Sequence, residues 1–426
     1  MTALRAPRLT RWLAAAPPAV LAIYGGLMAF GAYFAMYAYR KPFTAADYAD
    51  IGGLAVDYKV ALVIAQVVGY ALSKFLGVKV ISELPASRRA ASIVALIAGA
   101  ELALVGFGLT PAPYNLVFLF LNGLPLGMIW GLVFGFVEGR RLSEVIGAML
   151  CASFIVSSGV VKSVGMWLMQ GHGVGEFWMP AATGLLFTPL LLVCVAGLSY
   201  LPPPSRADEA ARQRRSPMDR AARRALFMRY APGLVGMIAI YVALTALRDF
   251  RDNFAAEIWA DLGHGADPAI FSLSELPVAA VVLAALALLA VFRDNRRAFI
   301  ANLVMVGSGL IACAAVSAGY LLGWIGPMGW MIGLGAGVYL AYTPFNGVLF
   351  DRFMAYAGSA GTAGFLIYVA DASGYAGSLL MLLAKSLGGV DLDWAPFLAV
   401  ASAAVGVAGL ACLVFAWRYF RGRPPA

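Results

Sequence analysis

The chain has 426 residues, of which 62% are hydrophobic and only 12% are charged, and its mean hydropathy is +0.82. A soluble globular domain carries about 25% charged residues, so this composition excludes an ordinary soluble protein and predicts an all-α polytopic membrane protein. The net charge of +9 would fit a nucleic-acid-binding protein, but the distribution of arginines along the chain explains it by membrane topology.

Twelve apolar stretches are long enough to cross a bilayer as helices, which requires about 20 residues each. Helices are the expected form because the backbone must satisfy its own hydrogen bonds in lipid. The predicted spans are 18–40, 58–80, 91–110, 114–136, 144–168, 179–200, 230–251, 269–292, 298–321, 328–350, 362–384 and 395–417.

The loops between these spans differ strongly in positive charge. If the N-terminus is cytoplasmic, the segments on the cytoplasmic side hold 22 of the 31 Lys and Arg residues. Such a bias is typical of cytoplasmic loops. We therefore expect a multi-pass protein of the plasma (cytoplasmic) membrane with both termini in the cytoplasm and no cleaved signal peptide.

One long polar segment, 201–229, carries eight arginines and separates the spans into two groups of six. We expect it to be a solvated, basic cytoplasmic linker, although a lipid- or phosphate-binding role is an alternative. The predicted domains are therefore an N-terminal six-helix half, 1–200, this linker, and a C-terminal six-helix half, 230–426.

Two pairs of arginines indicate that the halves are related. Arg89 and Arg297 each lie in the loop between the second and third spans of their half, and they are 208 residues apart. Arg40 and Arg248 each lie late in the first span of their half, and they are also 208 residues apart. A shared offset predicts a structural repeat, and two parallel six-span halves around a site near the bilayer midplane describe the major facilitator fold.

The first span ends in an aromatic face that carries a cation. Tyr33, Tyr37 and Arg40 are spaced i, i+4 and i+7, so they share one side of a helix. A cation at the centre of a membrane helix costs roughly 2.5–3.5 kcal/mol on insertion, so such a residue is expected to face a water-filled cavity and a ligand. The alternative is that Arg40 anchors the helix end and the tyrosines belong to an interfacial belt.

Three further cations lie inside apolar spans: Lys74, Lys162 and Arg248. The stem of Lys74 could instead extend toward the membrane surface, and Arg248 could join Arg251 and Asp252 in an ion-pair cluster at the helix end. If the four cations face one cavity, they form a site for an anion.

Acidic residues within the spans allow several interpretations. Asp371 in the eleventh span could pair with Lys162, carry a coupling proton or bind an amine of the substrate. Glu275 in the eighth span is a second candidate for a proton carrier, whereas Glu101 in the third span is interpreted as structural.

No metal, cofactor or enzymatic activity is expected. The four cysteines lie in apolar stretches without a CxxC pair, and the two histidines are isolated in loops. The sequence contains no HExxH or GxSxG motif and no histidine within a span.

Four segments in chain order resemble the organophosphate:phosphate antiporters of the major facilitator superfamily, which include the glycerol-3-phosphate and hexose-phosphate transporters. The segments are YAYRKPF (37–43), GYALSKFLG (69–77), Leu247–Arg248 and AGTAGF (360–365). The resemblance extends over most of the chain and implies the same twelve-helix fold.

In that family, two arginines corresponding to Arg40 and Arg248 grip the phosphate at the apex of a central cavity. A lysine corresponding to Lys74 and tyrosines corresponding to Tyr33 and Tyr37 also line this cavity. The resemblance therefore implies a substrate-binding role for all five residues, to which the charge pattern adds Lys162 and Asp371.

The chain also departs from the family pattern. It has NGLPLGMIWG (122–131) where the family has a Gly-Trp-Pro-Pro motif, and the family's histidine of the fifth span falls near Ser153, about nine residues before Lys162. Thr245 replaces a tyrosine one turn before the seventh-span arginine, and Asp371 is an added acid. We therefore expect that the residues that bind the phosphate group are retained and that the rest of the substrate differs.

The sequence thus predicts secondary active transport of a small anionic, phosphorylated organic metabolite, in exchange for inorganic phosphate, by alternating access. One alternative is a proton-coupled symporter of a carboxylate or phosphonate that uses Asp371 or Glu275. Another is a membrane sensor of an organophosphate. The expected partners are the anion, phosphate or a proton as coupling species, and the lipid bilayer, with no nucleic acid, and the protein is expected to be a monomer.

Overall fold

The computed structural model of the chain describes residues 7–48, 51–52, 54–137, 143–203, 205, 220–289, 291–292, 294–347, 349–356, 364–387 and 392–422. The chain divides into two compact units, Met1–Gln213 and Arg214–Ala426.

The first unit contains seven described helices, of which six are 20 residues or longer. Short 3-10 helices follow the second and third of them, at Pro42–Ala45 and Ala86–Arg88. The helices are α1 (Arg8–Ala15), α2 (Pro18–Tyr37), α3 (Tyr58–Glu83), α4 (Arg89–Leu109), α5 (Leu116–Val137), α6 (Ser143–His172) and α7 (Met179–Ser199).

The second unit contains eight described helices, of which six are again 20 residues or longer. The helices are α8 (Arg220–Asn253), α9 (Ala255–Asp261), α10 (Ile270–Leu289), α11 (Asn295–Leu321), α12 (Pro327–Gly347), α13 (Leu349–Tyr356), α14 (Gly364–Leu387) and α15 (Trp394–Arg421).

The twelve long helices correspond one to one with the twelve predicted spans, so the prediction of an all-α polytopic membrane protein is confirmed. Within the described residues, nine of them are long and apolar enough to cross a membrane by length and composition alone. Two of the boundaries that differ from the prediction change the setting of predicted features. The first long helix ends at Tyr37, so Arg40 lies in the turn that follows it, and α8 begins at Arg220, inside the predicted linker. Residues 206–219 of that linker lie outside the described residues.

The two units have the same internal packing order. In each, the first long helix packs against the fourth, fifth and sixth, the fourth packs against the second and third, and the third packs against the sixth. Glycines permit the closest of these approaches: a Cβ atom on Gly123 of α5 would collide with the Gln66 carbonyl oxygen of α3, and one on Gly309 of α11 would collide with the Gly337 carbonyl oxygen of α12. Equivalent packing in both units is what a repeat with one sequence offset predicts.

Candidate functional site

Each unit contains a cluster of polar and aromatic side chains around its sequence-predicted arginine. The first cluster consists of Tyr33, Tyr37, Arg40, Tyr70 and Lys74. The guanidinium carbon of Arg40 lies 3.9 Å from the ring centre of Tyr70 and 5.7 Å from that of Tyr37, and the ammonium of Lys74 lies 5.7 Å from the Tyr70 ring. The rings of Tyr33 and Tyr37 meet edge to face at 5.6 Å. The structure therefore brings four sequence-predicted residues together around Tyr70, whose ring face attracts cations.

The turn that carries Arg40 is held by two buried side-chain amides. Gln66 of α3 donates its Nε2 to the Arg40 carbonyl at 2.9 Å and to Asn122 Oδ1 at 2.8 Å. Asn122 of α5 donates its Nδ2 to the carbonyls of Tyr39 at 3.0 Å and Ala100 at 3.1 Å. Carbonyl groups just after a helix end lack partners within that helix, so these amides satisfy the carbonyls of Tyr39 and Arg40. The bond to Ala100, in the middle of α4, ties the turn to that helix.

Lys162 lies in the interior of the first unit, only 2% exposed. Its helix, α6, packs against the 3-10 helix Pro42–Ala45 that follows Arg40. Lys41, next to Arg40, is also buried at 4% exposed. With Lys59 of α3 at 1% exposed, the described part of the unit buries three further cations besides the first cluster, which is costly unless they have partners or a ligand.

The second cluster consists of Tyr241, Arg248, Asp249, Tyr342 and Asp371. Arg248 forms an ion pair with the adjacent Asp249, with Nη2 at 2.6 Å and Nε at 3.1 Å from Oδ1. The guanidinium carbon lies 4.2 Å from the ring centre of Tyr342. The other oxygen of Asp249 accepts a hydrogen bond of 2.6 Å from Ser378 of α14. Arg248 is thus held by a carboxylate that is itself anchored to the neighbouring helix.

Asp371 is connected to Arg248 by two tyrosines. The hydroxyl of Tyr241 donates a hydrogen bond to Asp371 Oδ1 and lies 3.1 Å from Asn346 Oδ1 and 3.2 Å from the Tyr342 hydroxyl. The rings of Tyr241 and Tyr342 are stacked with their centres 5.2 Å apart. A carboxylate, two tyrosine hydroxyls and a guanidinium therefore form one continuous array across α8, α12 and α14.

Arg251 and Glu275 form a separate buried ion pair. Arg251 Nη1 lies 2.6 Å from Glu275 Oε1, and Nη2 donates to the Met331 carbonyl at 3.0 Å. This pair joins α8, α10 and α12. Breaking such a pair by removing one partner costs about 3–5 kcal/mol, which argues against Glu275 as the residue that gains and loses a coupling proton.

Several residues of these clusters were not predicted from the sequence. Tyr70 lies in the quoted segment GYALSKFLG, one turn before Lys74, and that spacing could have found it. Tyr241 is 208 residues from Tyr33, and each tyrosine precedes its arginine by seven residues, so the same offset that relates Arg40 and Arg248 could have found it. Tyr342, Asn346 and Asp249 have no comparable signal in the sequence.

Three features that the sequence predicts are not tested by the described residues. The segment AGTAGF lies mostly outside the described residues, and the joint contact of Arg40 and Arg248 with one anion stays a prediction, as does the pairing of Asp371 with Lys162. Within the described part of the chain, no three His, Cys, Asp or Glu side chains are grouped so that they could hold a metal ion.

The helix order and the shared packing of the two units define the class of protein, the major facilitator fold. The D-xylose-proton symporter has a TM-score of 0.63 and 13% identity, covering 95% of this chain and 99% of that one. A bacterial homologue of the human lysosomal transporter Spinster, inward-facing and unoccupied, and a bacterial homologue of the human drug peptide transporters both have TM-scores of 0.61 and 12% identity, covering 94% of this chain and 97% of theirs. At these identities the similarity shows the fold, and the predicted major facilitator fold is confirmed.

The model of the family described as "Family of unknown function (DUF5690)" matches residues 42–423, so the chain belongs to that family. No curated protein matches the sequence significantly. None of these comparisons confirms the resemblance to the organophosphate:phosphate antiporters, which stays a hypothesis.

Proposed function

We propose that the protein is a secondary active transporter that exchanges a small phosphorylated organic anion for inorganic phosphate by alternating access. The observation that carries this proposal is a repeated pair, Tyr33 with Arg40 and Tyr241 with Arg248. In each unit the arginine rests against a tyrosine ring, at 3.9 Å from Tyr70 or 4.2 Å from Tyr342. A transporter of this fold that presents one such arginine from each half has the residues needed to bind a dianion.

Arginine suits a phosphate group because its planar guanidinium donates paired hydrogen bonds and stays charged. Asp249 accepts from Nε and Nη2 of Arg248. Two of the five N–H donors are thereby used to orient the group, and the other three can bind an oxyanion. Lys74, Tyr33, Tyr37 and Lys162 are proposed to add charge and hydroxyl donors to the same site, and Asp371 to contact the substrate body.

The two-arginine site also explains why exchange is expected instead of one-way transport. Without an anion, Arg40 and Arg248 would repel each other as the two halves close, whereas a bound dianion would neutralise both. The empty protein should therefore change conformation slowly, and the loaded protein quickly.

The test is uptake of labelled phosphate into proteoliposomes loaded with phosphate, for the wild type and for Arg40→Ala and Arg248→Ala. We expect exchange in the wild type and at least a hundredfold loss in each variant, since bidentate contacts to a phosphate are removed. Arg229→Ala is the matched control, because Arg229 is an exposed arginine of the same helix α8 whose guanidinium carbon lies 5.5 Å from the ring centre of Tyr230. Wild-type exchange in either cluster variant would overturn the proposal.

A second candidate is proton-coupled symport of a carboxylate or phosphonate through the same arginines. It is favoured by the chain of contacts from Asp371 through Tyr241 and Tyr342 to Arg248. Through these contacts, protonation of Asp371 could alter the binding of an anion at Arg248. In this case uptake should depend on a pH gradient, Asp371→Asn should abolish that dependence, and phosphate loading inside the vesicle should have no effect.

We also propose that both termini are cytoplasmic, that the protein works as a monomer in the plasma membrane, and that 201–229 links the two halves on the cytoplasmic side. The topology is supported by the charge bias of the loops, with 22 of the 31 Lys and Arg on that side. Labelling of single cysteines placed in 201–229 by a membrane-impermeant reagent should succeed in inverted vesicles and fail in intact cells.

A further inference from the structure

Glu101 places a carboxyl group in a membrane helix of the first unit. It lies near the middle of α4, a helix long and apolar enough to cross a membrane. Both of its carboxyl oxygens are buried, and neither has a hydrogen-bond partner among the described residues. Buried polar atoms are almost always paired, and an ionised carboxylate without a donor is far more costly to bury than the neutral acid. The surroundings of Glu101 therefore accept the protonated form.

The space for this carboxyl group is built by a glycine. A Cβ atom on Gly184 of α7 would collide with Glu101 Oε2 and would lie 2.8 Å from the Tyr39 ring. Tyr39 is fully buried, and its hydroxyl forms a hydrogen bond of 2.7 Å with Thr188 of α7. Among the described residues, these contacts relate the carboxyl group to Tyr39 from the turn after α2, to Thr188 from α7, which bonds Tyr39, and to Asn122 from α5, which bonds the carbonyl of the neighbouring Ala100. None of these three side chains carries a formal charge.

The same contacts connect Glu101 to the first cluster. Asn122 donates to the carbonyl of Ala100, the neighbour of Glu101 in α4, and to the carbonyl of Tyr39, the neighbour of Arg40. A charge that appeared on Glu101 would act on Tyr39 and on this shared amide. The position of the turn that carries Arg40 would then depend on whether Glu101 is charged.

We propose that Glu101 is a proton-binding site of this protein. Glu101 holds a proton in the arrangement described here and releases it to water in a second arrangement in which the carboxyl group reaches solvent. One proton is taken up and one is released in each cycle, so no further reactant is needed. Proton binding by Glu101 is independent of the proposed anion exchange, whereas its coupling to transport through Arg40 rests on that function.

The two acids that the sequence suggested as proton carriers are engaged differently. Glu275 forms an ion pair with Arg251, and Asp371 accepts a hydrogen bond from Tyr241. Of these three acids within the long helices, Glu101 is the one with both oxygens buried and without a hydrogen-bond partner in the described part of the chain. The proton site is therefore assigned to α4 in the first unit.

The direct test is infrared difference spectroscopy of the full-length protein in lipid bilayers, between neutral and strongly alkaline pH. We expect the wild type to show the carbonyl stretch of a protonated carboxylic acid at neutral pH, and Glu101→Gln to lose it. Glu176→Gln is the matched control, because the Glu176 carboxylate accepts a hydrogen bond of 3.1 Å from the backbone N–H of Tyr48 in a loop, and it should keep the band. An unchanged band in Glu101→Gln, or no such band in the wild type, would overturn the proposal.

A thermal unfolding series keeps the proposal testable without any substrate and also reports whether the variant folds. Stability that requires the neutral acid is present at acid pH and is lost as the pH rises. The melting temperature of the wild type should therefore fall toward alkaline pH, and Glu101→Gln should show a smaller fall. An equal fall in both proteins would contradict the assignment.

Transport separates this inference from the proposed function. In proteoliposomes with phosphate on both sides and no pH gradient, the wild-type exchange rate should change at least tenfold over the pH range, whereas Glu101→Gln should keep only the smaller dependence that the titration of phosphate itself causes. If the wild type does not exchange phosphate but the infrared band behaves as expected, the anion proposal fails and the proton site stands. If the wild-type exchange rate depends on pH and Glu101→Gln retains the same dependence, the coupling through Arg40 is wrong.

Discussion

The two clusters carry the same tyrosine–arginine pair but hold the arginine in different ways. In the first, Arg40 lies beyond the end of α2, its guanidinium rests on the Tyr70 ring, and side-chain amides hold its backbone. In the second, Arg248 lies within α8 and is held by the carboxylate of Asp249. A repeat can therefore preserve the position of a cation while the contacts that orient it are replaced.

The charge around the two arginines differs as well. Tyr70 has two cations near its ring, Arg40 and Lys74. In the second unit, by contrast, Arg248 is matched by Asp249, and Arg251 by Glu275. The carboxylates of the second unit are therefore expected to contribute discrimination between anions, since a site with both signs of charge rejects substrates that lack the matching group.

The largest loss of stability is expected on substitution of Arg251, whose ion pair with Glu275 is structural. Arg251→Ala leaves Glu275 buried without its cation, so the free energy of unfolding should fall by about 3–5 kcal/mol. Denaturant unfolding in detergent measures this loss. Replacing both partners, Arg251→Met with Glu275→Leu, should restore most of it, because apolar groups can replace a buried ion pair at little cost. A stable Arg251→Ala protein that has lost phosphate exchange would instead make Arg251 part of the anion site.

An intermediate effect is expected from Asn122, which holds the Arg40 turn. Asn122→Ala removes the side-chain donor to the buried carbonyl of Tyr39, which should cost about 1–3 kcal/mol of stability, and it should also weaken anion binding about tenfold because the turn is released. Asn302→Ala is the matched control, since this buried asparagine of α11 donates to the carbonyl of Ala298 in its own helix at 2.7 Å. Both variants should lose stability, and only Asn122→Ala should lose affinity. Equal affinities would show that the turn does not depend on Asn122.

Much of the fold could be predicted because membrane helices are defined by length and apolarity, which are properties of the sequence alone. The ends of the helices were harder to predict from the sequence. The end of α2 at Tyr37 is set by buried side chains of other helices, Gln66 and Asn122, which satisfy the following turn. The start of α8 at Arg220 lies in a polar segment, where hydropathy gives no indication of a helix.

The cations of the candidate site could be predicted from the sequence, but most of the residues that contact them could not. Arg40, Lys74 and Arg248 were identified because a cation in an apolar span is rare and costly. Tyr342 and Asn346 of α12 meet Tyr241 of α8 only through tertiary packing, and tyrosine or asparagine in such a helix is not unusual. The choice of Asp249 over Asp252 as partner of Arg248 is a matter of side-chain geometry, which helical spacing does not decide.

The smallest effect is expected from the tyrosine rings beneath the arginines, and it tests the difference between the clusters most directly. Tyr70→Leu removes the ring face under Arg40, and a cation–π contact is worth about 0.5–2 kcal/mol, so anion affinity should fall by roughly 2- to 30-fold. Tyr70→Phe keeps the ring and should stay near the wild type. Tyr342→Leu in the second cluster should lose less than Tyr70→Leu, because Asp249 still holds Arg248. Equal losses, measured as the concentration of phosphate that half-saturates exchange, would show that both arginines depend on aromatic support to the same degree.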